Sequence, residues 1–310
     1  MFISVVIPTY NRLPILQKCL IALENQVFSS DIKGYEVVLV DDGSTDGTSS
    51  WLRGNLTKFP HLKLLEQLHA GPGQGRNKGV ENSLGDVIIF IDSDLVVTES
   101  FIDSHSRSLI NTWNKRGDRF CFTYGAVINT SNFEYPTSEP HKLRDISFAY
   151  FATGNVAIDK NVLEAAGLFD PAFKLYGWED LELGERLRRM NVELVKCPKA
   201  VGYHWHKALS IDQIPSLIRI EHERAKMALV FFRKHPSRRV RFIIQFTLFH
   251  RFIWETLTLF GLINTTNLKP LLQYLIRKGY PGLAMEILRL PLNLIGVRAI
   301  YREAYSQGLH

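Results

Sequence analysis

Cysteine is scarce in this chain: its 310 residues include only Cys19, Cys121 and Cys197, set far apart. An odd number at these spacings provides neither a disulfide framework nor a zinc-binding pair. The pattern favours a reducing, cytoplasmic compartment. We therefore expect each cysteine to be a small buried apolar residue rather than a reactive one.

The chain also lacks a long uninterrupted apolar run. Its first eight residues, MFISVVIP, have no basic segment and stop at Pro8, so we expect a first strand rather than a signal peptide. The most apolar stretch, residues 242–263, is interrupted by Gln245, Arg251 and Glu255, whereas a spanning helix needs about 20 mostly apolar residues. We expect this stretch to form a helix that lies in a membrane interface or packs on the main domain.

Acidic residues are few in the last third of the chain. Residues 214–310 contain 15 Lys and Arg against 5 Asp and Glu, and since the whole chain carries +6, residues 1–213 carry −4. This asymmetry predicts that the basic tail meets an anionic surface, such as the inner face of a membrane. A solvated basic face and a dimer interface are the two alternative interpretations. The basic residues beside the apolar stretch are Arg233, Lys234, Arg238, Arg239 and Arg241.

Strand, loop and helix patterns alternate through the first hundred residues. Such alternation predicts an α/β fold, a Rossmann-like and mostly parallel sheet with helices on both faces. Helical patterns predominate later, so we predict an α/β domain at residues 1–210 and a basic, helical C-terminal region at 211–310. The predicted strands are residues 3–7, 35–40, 62–65, 86–91, 120–128, 151–158, 192–196 and 200–206.

Polar residues follow each of the first four predicted strands, at residues 9–12, 41–42, 69–77 and 92–94. Surface loops alone would scatter polar residues over both ends of a sheet. In parallel sheets, ligands bind beyond the carboxyl ends of the strands. This common placement predicts one binding site along that edge.

The pair Asp92 and Asp94 ends a run that is apolar enough to be buried on both faces. Carboxylates at the edge of a core are costly unless something compensates their charge. A hard divalent cation such as Mg²⁺ or Mn²⁺ would do so, because it prefers oxygen ligands and bridges them to phosphates. Taken alone, the pair is equally consistent with a helix cap or an Asx-turn.

Four motifs stand out in the first hundred residues: VVIPTYNR at 5–12, VDDGSTD at 40–46, the glycine-rich stretch 71–79 with Arg76-Asn77, and Asp92-Ser93-Asp94. Together they resemble the family-two glycosyltransferases, which have the A-type glycosyltransferase fold. The similarity covers about residues 1–207, with the motifs in the family's order and approximate spacing. Gly177-Trp-Glu-Asp180 also resembles the acceptor-side Trp-Glu-Asp element of chondroitin-type and galactosyl-type transferases.

The resemblance implies an inverting, metal-dependent transfer from a nucleotide-diphospho-sugar, with UDP as the expected nucleotide, to a glycan or lipid-linked acceptor. It places Asp180 as the general base with Glu179 as runner-up, and it suggests that the product is a surface polysaccharide or glycoconjugate. The implied nucleotide-binding residues are Pro8, Thr9, Tyr10, Arg12, Asp41, Asp42, Arg76, Asn77, Asp92 and Ser93, the implied sugar-binding residues are Gly154, Asn155 and Trp178, and the implied ligands of Mn²⁺ or Mg²⁺ are Asp94, Asp92 and one of His204 and His206.

Other interpretations stay open at this point. Glu179 and Asp180 also suit the first turn of a helix, where the dipole favours carboxylates. A nucleotidyltransferase would share the parallel sheet and paired carboxylates, but no basic motif for a triphosphate is evident. A non-catalytic carbohydrate- or nucleic-acid-binding protein is the third class; no helix-turn-helix, zinc-finger or RNA-binding signature is present, so we do not expect nucleic acid as a partner.

Overall fold

The computed structural model describes residues 1–139 and 150–309. The chain divides into two compact units. The first, here called the sheet unit, consists of residues 1–171 and 179–206, and the second, the helical unit, consists of residues 172–178 and the chain from 207 onward. The assignment of whole domains to residues 1–210 and 211–310 stays a prediction.

The sheet unit is built on one mixed sheet of eight strands. Four of its seven strand pairs are parallel and three are antiparallel. The strands are β1 (Phe2–Thr9), β2 (Gly34–Asp41), β3 (Leu62–Glu66), β4 (Val87–Ile91), β5 (Leu95–Val97), β6 (Cys121–Thr130), β7 (Asn155–Asp159) and β8 (Glu193–Trp205).

The spatial order of the strands is β3-β2-β1-β4-β7-β6-β8-β5. The first four neighbours are parallel, and β7 is the first strand to run the other way. Thus β1, β2 and β4 point their carboxyl ends to the same edge, which is where the polar motifs lie. The predicted α/β class with a mostly parallel sheet is confirmed.

The side chains of β1 point alternately to the two faces of the sheet and pack on both. Ile3, Val5 and Ile7 pack into one apolar cluster, and Val6 packs into the cluster on the opposite face. Successive side chains of a strand point to opposite faces, so a mostly apolar run that is buried on both faces suits a strand covered on both sides. The helices of this unit are α1 (Leu13–Glu24), α2 (Thr48–Asn55), α3 (Pro72–Glu81), α4 (Phe101–Arg116), α5 (Lys160–Ala165) and α6 (Glu179–Arg189).

Three strands differ from the prediction. The two short strands expected at residues 192–196 and 200–206 are a single strand, β8. The pairing register with β6 shifts between Gly125 and Ala126, and this shift accommodates the turn-like residues between the two predicted strands. The strand β5, directly after Asp94, was not predicted, since three residues carry too little pattern. Strand β7 begins at Asn155 rather than 151, because β4, its antiparallel neighbour, ends opposite that residue.

The helical unit confirms the predicted helical C-terminal region. The stretch 242–263 is broken, because Gln245 adopts a left-handed φ of 60° and the hydroxyl of Thr247 caps a new helix at the nitrogen of His250. No helix within residues 1–139 and 150–309 is both long and apolar enough to cross a bilayer. The helices are α7 (Ile214–Lys234), α8 (Arg238–Ile243), α9 (Leu248–Leu257), α10 (Lys269–Arg277) and α11 (Pro281–Ser306).

Candidate functional site

The candidate site lies in the sheet unit, at the carboxyl ends of β1, β2 and β4. Thr9 ends β1 beside Asp41, which ends β2, and the nitrogen of Asp42 donates to the carbonyl of Thr9 at 2.9 Å. The carboxylate of Asp92 directly follows β4. Parallel pairing therefore brings the polar motifs of three strands to one edge.

Asp42 is a hub for the loop that leads to α3. Its carboxylate accepts hydrogen bonds from Gln67 Nε2 at 2.7 Å and from the backbone nitrogens of Ala70 and Gly71 at 2.8 and 2.9 Å, and His69 Nδ1 lies 2.9 Å away. Asp41 behaves similarly, since it accepts from the nitrogen of Ser44 and the hydroxyl of Ser49. In this structure both carboxylates shape the loops around the edge.

The loop that Asp42 holds carries an aromatic surface. His69 stacks on Tyr10, with ring centroids 4.3 Å apart and planes inclined by 30°. Tyr10 is 43% exposed, so part of this flat surface stays open. The sequence placed His69 in a polar loop but gave no reason to single it out, because only the folded loop brings it onto Tyr10.

Three candidate metal ligands converge beside this surface. One ligand atom each from Asp92, Asp94 and His204 lie within 4.8 Å of one another. His204 Nε2 is 2.8 Å from Asp94 Oδ1, and Arg12 Nε is 3.5 Å from the other carboxylate oxygen. Two carboxylates and an imidazole make a donor set that fits Mn²⁺. His206, the alternative ligand, hydrogen-bonds Asn129 at 3.1 Å and lies outside this cluster of described residues.

Asp94 and His204 shift each other's pKa. Burial alone would raise the pKa of Asp94, but the hydrogen bond and charge of His204, with the charge of Arg12, lower it below its usual value. Burial would lower the pKa of His204, and the bond to Asp94 raises it instead. An anionic Asp94 is thereby held ready at the edge of the sheet.

Arg76 lies between the metal-ligand cluster and the start of α6. Its guanidinium is 3.0 Å from Asp92 Oδ1 and 3.3 Å from Glu179 Oε1, and it lies over the ring of Phe169 at 5.5 Å. Only 5% of the residue is exposed. The guanidinium therefore neutralises two carboxylates that would otherwise share a partly buried space.

Asp180 is the second residue of α6 and has an unusual acidity. Burial first, and then the charge of Glu179, raises the pKa of Asp180 from 3.8 to about 7, although Arg76 acts in the opposite direction. Its carboxylate accepts a hydrogen bond from the nitrogen of Leu181 at 2.7 Å. A carboxyl group with a pKa near neutrality can both hold and release a proton at working pH.

Two side-chain amides that we predicted to bind ligand form hydrogen bonds within the protein. Asn155 is fully buried, accepts from His105 at 2.8 Å and donates to the carbonyls of Ala126 and Ala200. Asn77 exchanges two hydrogen bonds with the backbone of Phe169. In this geometry both side chains support the strands and loops around them, and their roles in binding the donor stay predictions.

The remaining predicted residues are distributed around the edge. A Cβ placed on Gly154 would lie 3.1 Å from Asp92 Oδ2, so glycine leaves that carboxylate open. Pro8 and Ser93 are buried, and the buried Thr9 hydroxyl has no hydrogen-bond partner among the described residues. Trp178 belongs to the helical unit, where its indole nitrogen donates to the carbonyl of Arg224 at 2.8 Å. Its role as a sugar-stacking surface stays a prediction.

Solved structures share the fold of this chain. The chain is similar over 98% of its length to 87% of the mannosyltransferase PcManGT of Pyrobaculum calidifontis, solved with GDP-Man and Mn²⁺, with a TM-score of 0.60 and 19% identity. It is also similar to S. aureus TarS residues 1–349 solved with UDP-GlcNAc, with a TM-score of 0.51, 18% identity, and coverage of 100% of this chain and 93% of that one. At such identities the likeness shows the fold alone.

Sequence comparison gives the family. The chain is 32% identical over 171 residues to the glycosyltransferase AglE of Haloferax volcanii, which covers 54% of this chain and 52% of that protein, so it spans about half the length of this relative. Residues 4–168, just over half of the chain, match the family described as glycosyl transferase family 2. This match includes Asp42, Arg76, Asp92 and Asp94, and the chain belongs to glycosyl transferase family 2.

Proposed function

We propose that this chain is an inverting glycosyltransferase that uses a nucleotide-diphospho-sugar and a divalent cation. The observation that carries the proposal is the pair of ionic contacts that Arg76 makes. One guanidinium joins Asp92, a candidate metal ligand, to Glu179, the neighbour of the candidate base Asp180. A transferase needs its leaving-group site and its base within reach of one sugar, and this arrangement supplies both in the sheet unit.

The cation would be held by Asp92, Asp94 and His204, with Mn²⁺ favoured over Mg²⁺ by the imidazole. When bound, it would supply Lewis-acid neutralisation of the charge that builds on the departing diphosphate. Arg12, 54% exposed at its side chain and 3.5 Å from Asp94, is a second positive charge at the same edge. The residues present therefore suit an anionic leaving group.

The nucleotide would lie against Tyr10 and His69. A flat, partly exposed aromatic pair suits a base, because stacking needs only the face of the ring. The hydroxyl of Thr9, which has no hydrogen-bond partner within residues 1–139 and 150–309, is a group that a ligand would satisfy. UDP is the proposed nucleotide, and the UDP-GlcNAc complex of TarS supports this proposal. Because PcManGT was solved with GDP-Man, GDP-sugars are the donors against which UDP-sugars should be compared.

For the chemical step, Asp180 accepts the proton of an acceptor hydroxyl. That oxygen forms a bond to the anomeric carbon while the bond from this carbon to the diphosphate breaks on the opposite face, and the pair of electrons leaves with the phosphate oxygen. A single displacement of this kind inverts the anomeric configuration. Its base must be anionic when the acceptor binds, and a pKa of about 7 allows that at neutral pH. The proposed acceptor is a glycan or lipid-linked sugar.

The test is a panel of UDP- and GDP-sugars with the purified chain, measuring released nucleoside diphosphate with and without EDTA and added Mn²⁺. We expect release that EDTA abolishes and Mn²⁺ restores, and a loss of at least about 100-fold in Asp94→Ala. Asp118→Asn is the matched control, because Asp118 is an exposed aspartate paired with Arg116. Release of pyrophosphate from a nucleoside triphosphate, or full activity of Asp94→Ala, would contradict the proposal.

A further inference from the structure

The helical unit exposes an unusual number of large apolar side chains. None of the ten residues of α9 is buried. Phe249 and Phe252 are one turn apart on this helix, and Leu248 is four residues before Phe252, so the three share a face. Monomeric soluble proteins rarely leave a large contiguous apolar patch open to water.

The exposed face continues on both sides of α9. The ring centroids of Phe242 on α8 and Phe249 lie 4.7 and 5.6 Å from that of His250, so the two phenylalanines flank one imidazole. After α9 the chain turns at Leu259 and Phe260. We call the following set the apolar face; its members are 49–75% exposed and are Phe242, Leu248, Phe249, Phe252, Leu257, Leu259, Phe260 and Leu262.

The turn at the end of the apolar face is fixed in an uncommon conformation. Leu259 and Phe260 both have a positive φ, 49° and 57°, which costs about 1 kcal/mol or more for each side-chain-bearing residue. Arg298 secures the turn from within the unit, since it bonds the carbonyl of Phe260 at 3.4 Å and both carboxylate oxygens of Glu255. Arg298 thus keeps the turn in a conformation that exposes the side chains of Leu259 and Phe260 to solvent. This arrangement indicates a surface for an apolar partner.

Basic residues predominate in the segment that carries the apolar face. Residues 224–285 contain eleven Lys and Arg and a single acidic residue, Glu255, which pairs with Arg298. Arg238 is exposed and lies one turn before Phe242, and Arg251 is exposed within α9 itself. The partner must therefore accept apolar side chains and also carry negative charge.

We propose that the apolar face docks on the surface of a membrane that contains anionic lipids. Acyl chains receive the Phe and Leu side chains, and lipid phosphates receive Arg238 and Arg251. With ten residues, α9 is about 15 Å long, half the hydrocarbon thickness, so it lies in the interface instead of spanning it. A second copy of this chain is the weaker occupant, because it would bring two positively charged surfaces together. The proposal does not depend on the transfer reaction.

The test is flotation of the purified chain with vesicles of phosphatidylcholine alone and of phosphatidylcholine with about one third phosphatidylglycerol, at low salt and at about 0.5 M NaCl. We expect at least a tenfold preference for the anionic vesicles that salt reduces, since each basic residue near such a surface contributes about fivefold. The double variant Phe252→Glu, Phe260→Glu should lose binding to both vesicle types. Arg238→Glu, Arg251→Glu should lose the preference for anionic lipid.

The matched control is Leu84→Glu, which changes an apolar residue of the sheet unit that is 75% exposed. It should bind vesicles as the unaltered chain does. All the altered side chains are exposed, so circular dichroism should report an unchanged fold. Equal binding to both vesicle types, vesicle binding that survives Phe252→Glu with Phe260→Glu, or a dimer in light scattering that this double variant converts to a monomer would overturn the proposal.

Discussion

His204 Nε2 lies 2.8 Å from Asp94 Oδ1, a contact between residues 110 positions apart in the chain. The strand pairing explains it, because Leu95 of β5 is opposite His204 of β8. This pairing brings an imidazole to a carboxylate that lies between β4 and β5. The two side chains together define the position where a cation would be held.

The first prediction concerns that position. His204→Ala should weaken Mn²⁺ binding by at least about tenfold, because it removes one of three ligands and the group that keeps Asp94 anionic. Isothermal titration of Mn²⁺ into the chain measures this directly. His206→Ala is the control and should change the affinity little, since His206 bonds Asn129. A larger effect from His206→Ala would assign the ligand to that residue instead.

The second prediction concerns Arg76. Arg76→Met leaves Asp92 and Glu179 without their shared cation, so the free energy of unfolding should fall by about 3 kcal/mol, as measured by urea denaturation. The charge of Arg76 also lowers the pKa of Asp180. The pH midpoint of kcat/KM should therefore move upward in Arg76→Met.

Arg76→Lys keeps the charge and is the matched control for that shift. It should retain more of the normal pH profile than Arg76→Met, while losing part of the two-sided contact of the guanidinium. A profile that does not move in Arg76→Met would show that the guanidinium has no influence on the base.

The third prediction concerns Asp180. Asp180→Asn should lower kcat by about 10²- to 10⁴-fold, and kcat/KM of the unaltered chain should rise with pH through a value at or below about 7, because the anionic carboxylate is the base. A bound cation would lower that midpoint. Glu179→Gln is the comparison variant: it should keep most of kcat because Asp180 remains, and its midpoint should move downward because the charge of Glu179 raises the pKa of Asp180.

Asp180 should also affect stability in a pH-dependent manner. Its folded pKa of about 7 exceeds the ordinary 3.8, so the folded state keeps the proton longer than the unfolded chain does. Stability should then fall as the pH rises from about 4 to 7 and stay reduced above it. Thermal melting of Asp180→Asn should show a gain at pH 8 that vanishes near pH 4. An equal gain at both values would point to a cause other than ionisation.

The fourth prediction separates two roles for Asn155. Its amide supports His105 and the carbonyls of Ala126 and Ala200, so Asn155→Ala should lower the free energy of unfolding by about 2–4 kcal/mol. The KM for the donor, measured below the melting temperature, should stay nearly constant. A raised KM with unchanged stability would instead restore the sugar-binding role that the sequence suggested.

The parallel part of the fold could be predicted because its signal is local. Each central strand is an apolar run closed by turn-forming residues, and the polar residues after β1, β2 and β4 necessarily meet at one edge. The positions of Asp92 and Asp94 follow from that rule. Their meeting with His204 does not, because it needs the pairing of a three-residue strand with the last strand.

Arg76 illustrates what the sequence could not supply. Its place after a glycine-rich loop predicted a phosphate-binding group at a helix start. The structure buries it between two carboxylates, one of them 103 residues away in the chain. Asn77 and Asn155 follow the same pattern, because their partners are backbone groups that only tertiary packing brings near.

Helix α3 carries a face without side chains. A Cβ on Gly79 would overlap Val6, and one on Gly75 would lie 3.1 Å from Pro8. The helix thus packs closely on the side chains of Val6 and Pro8 in β1, and Arg76 is the residue next to Gly75. Even one added methyl group on this face would lift the helix and carry the guanidinium out of register with Asp92. The spacing of the reactive groups therefore depends on two glycines on the face of α3 that packs against β1, because a side chain at either position would displace the helix.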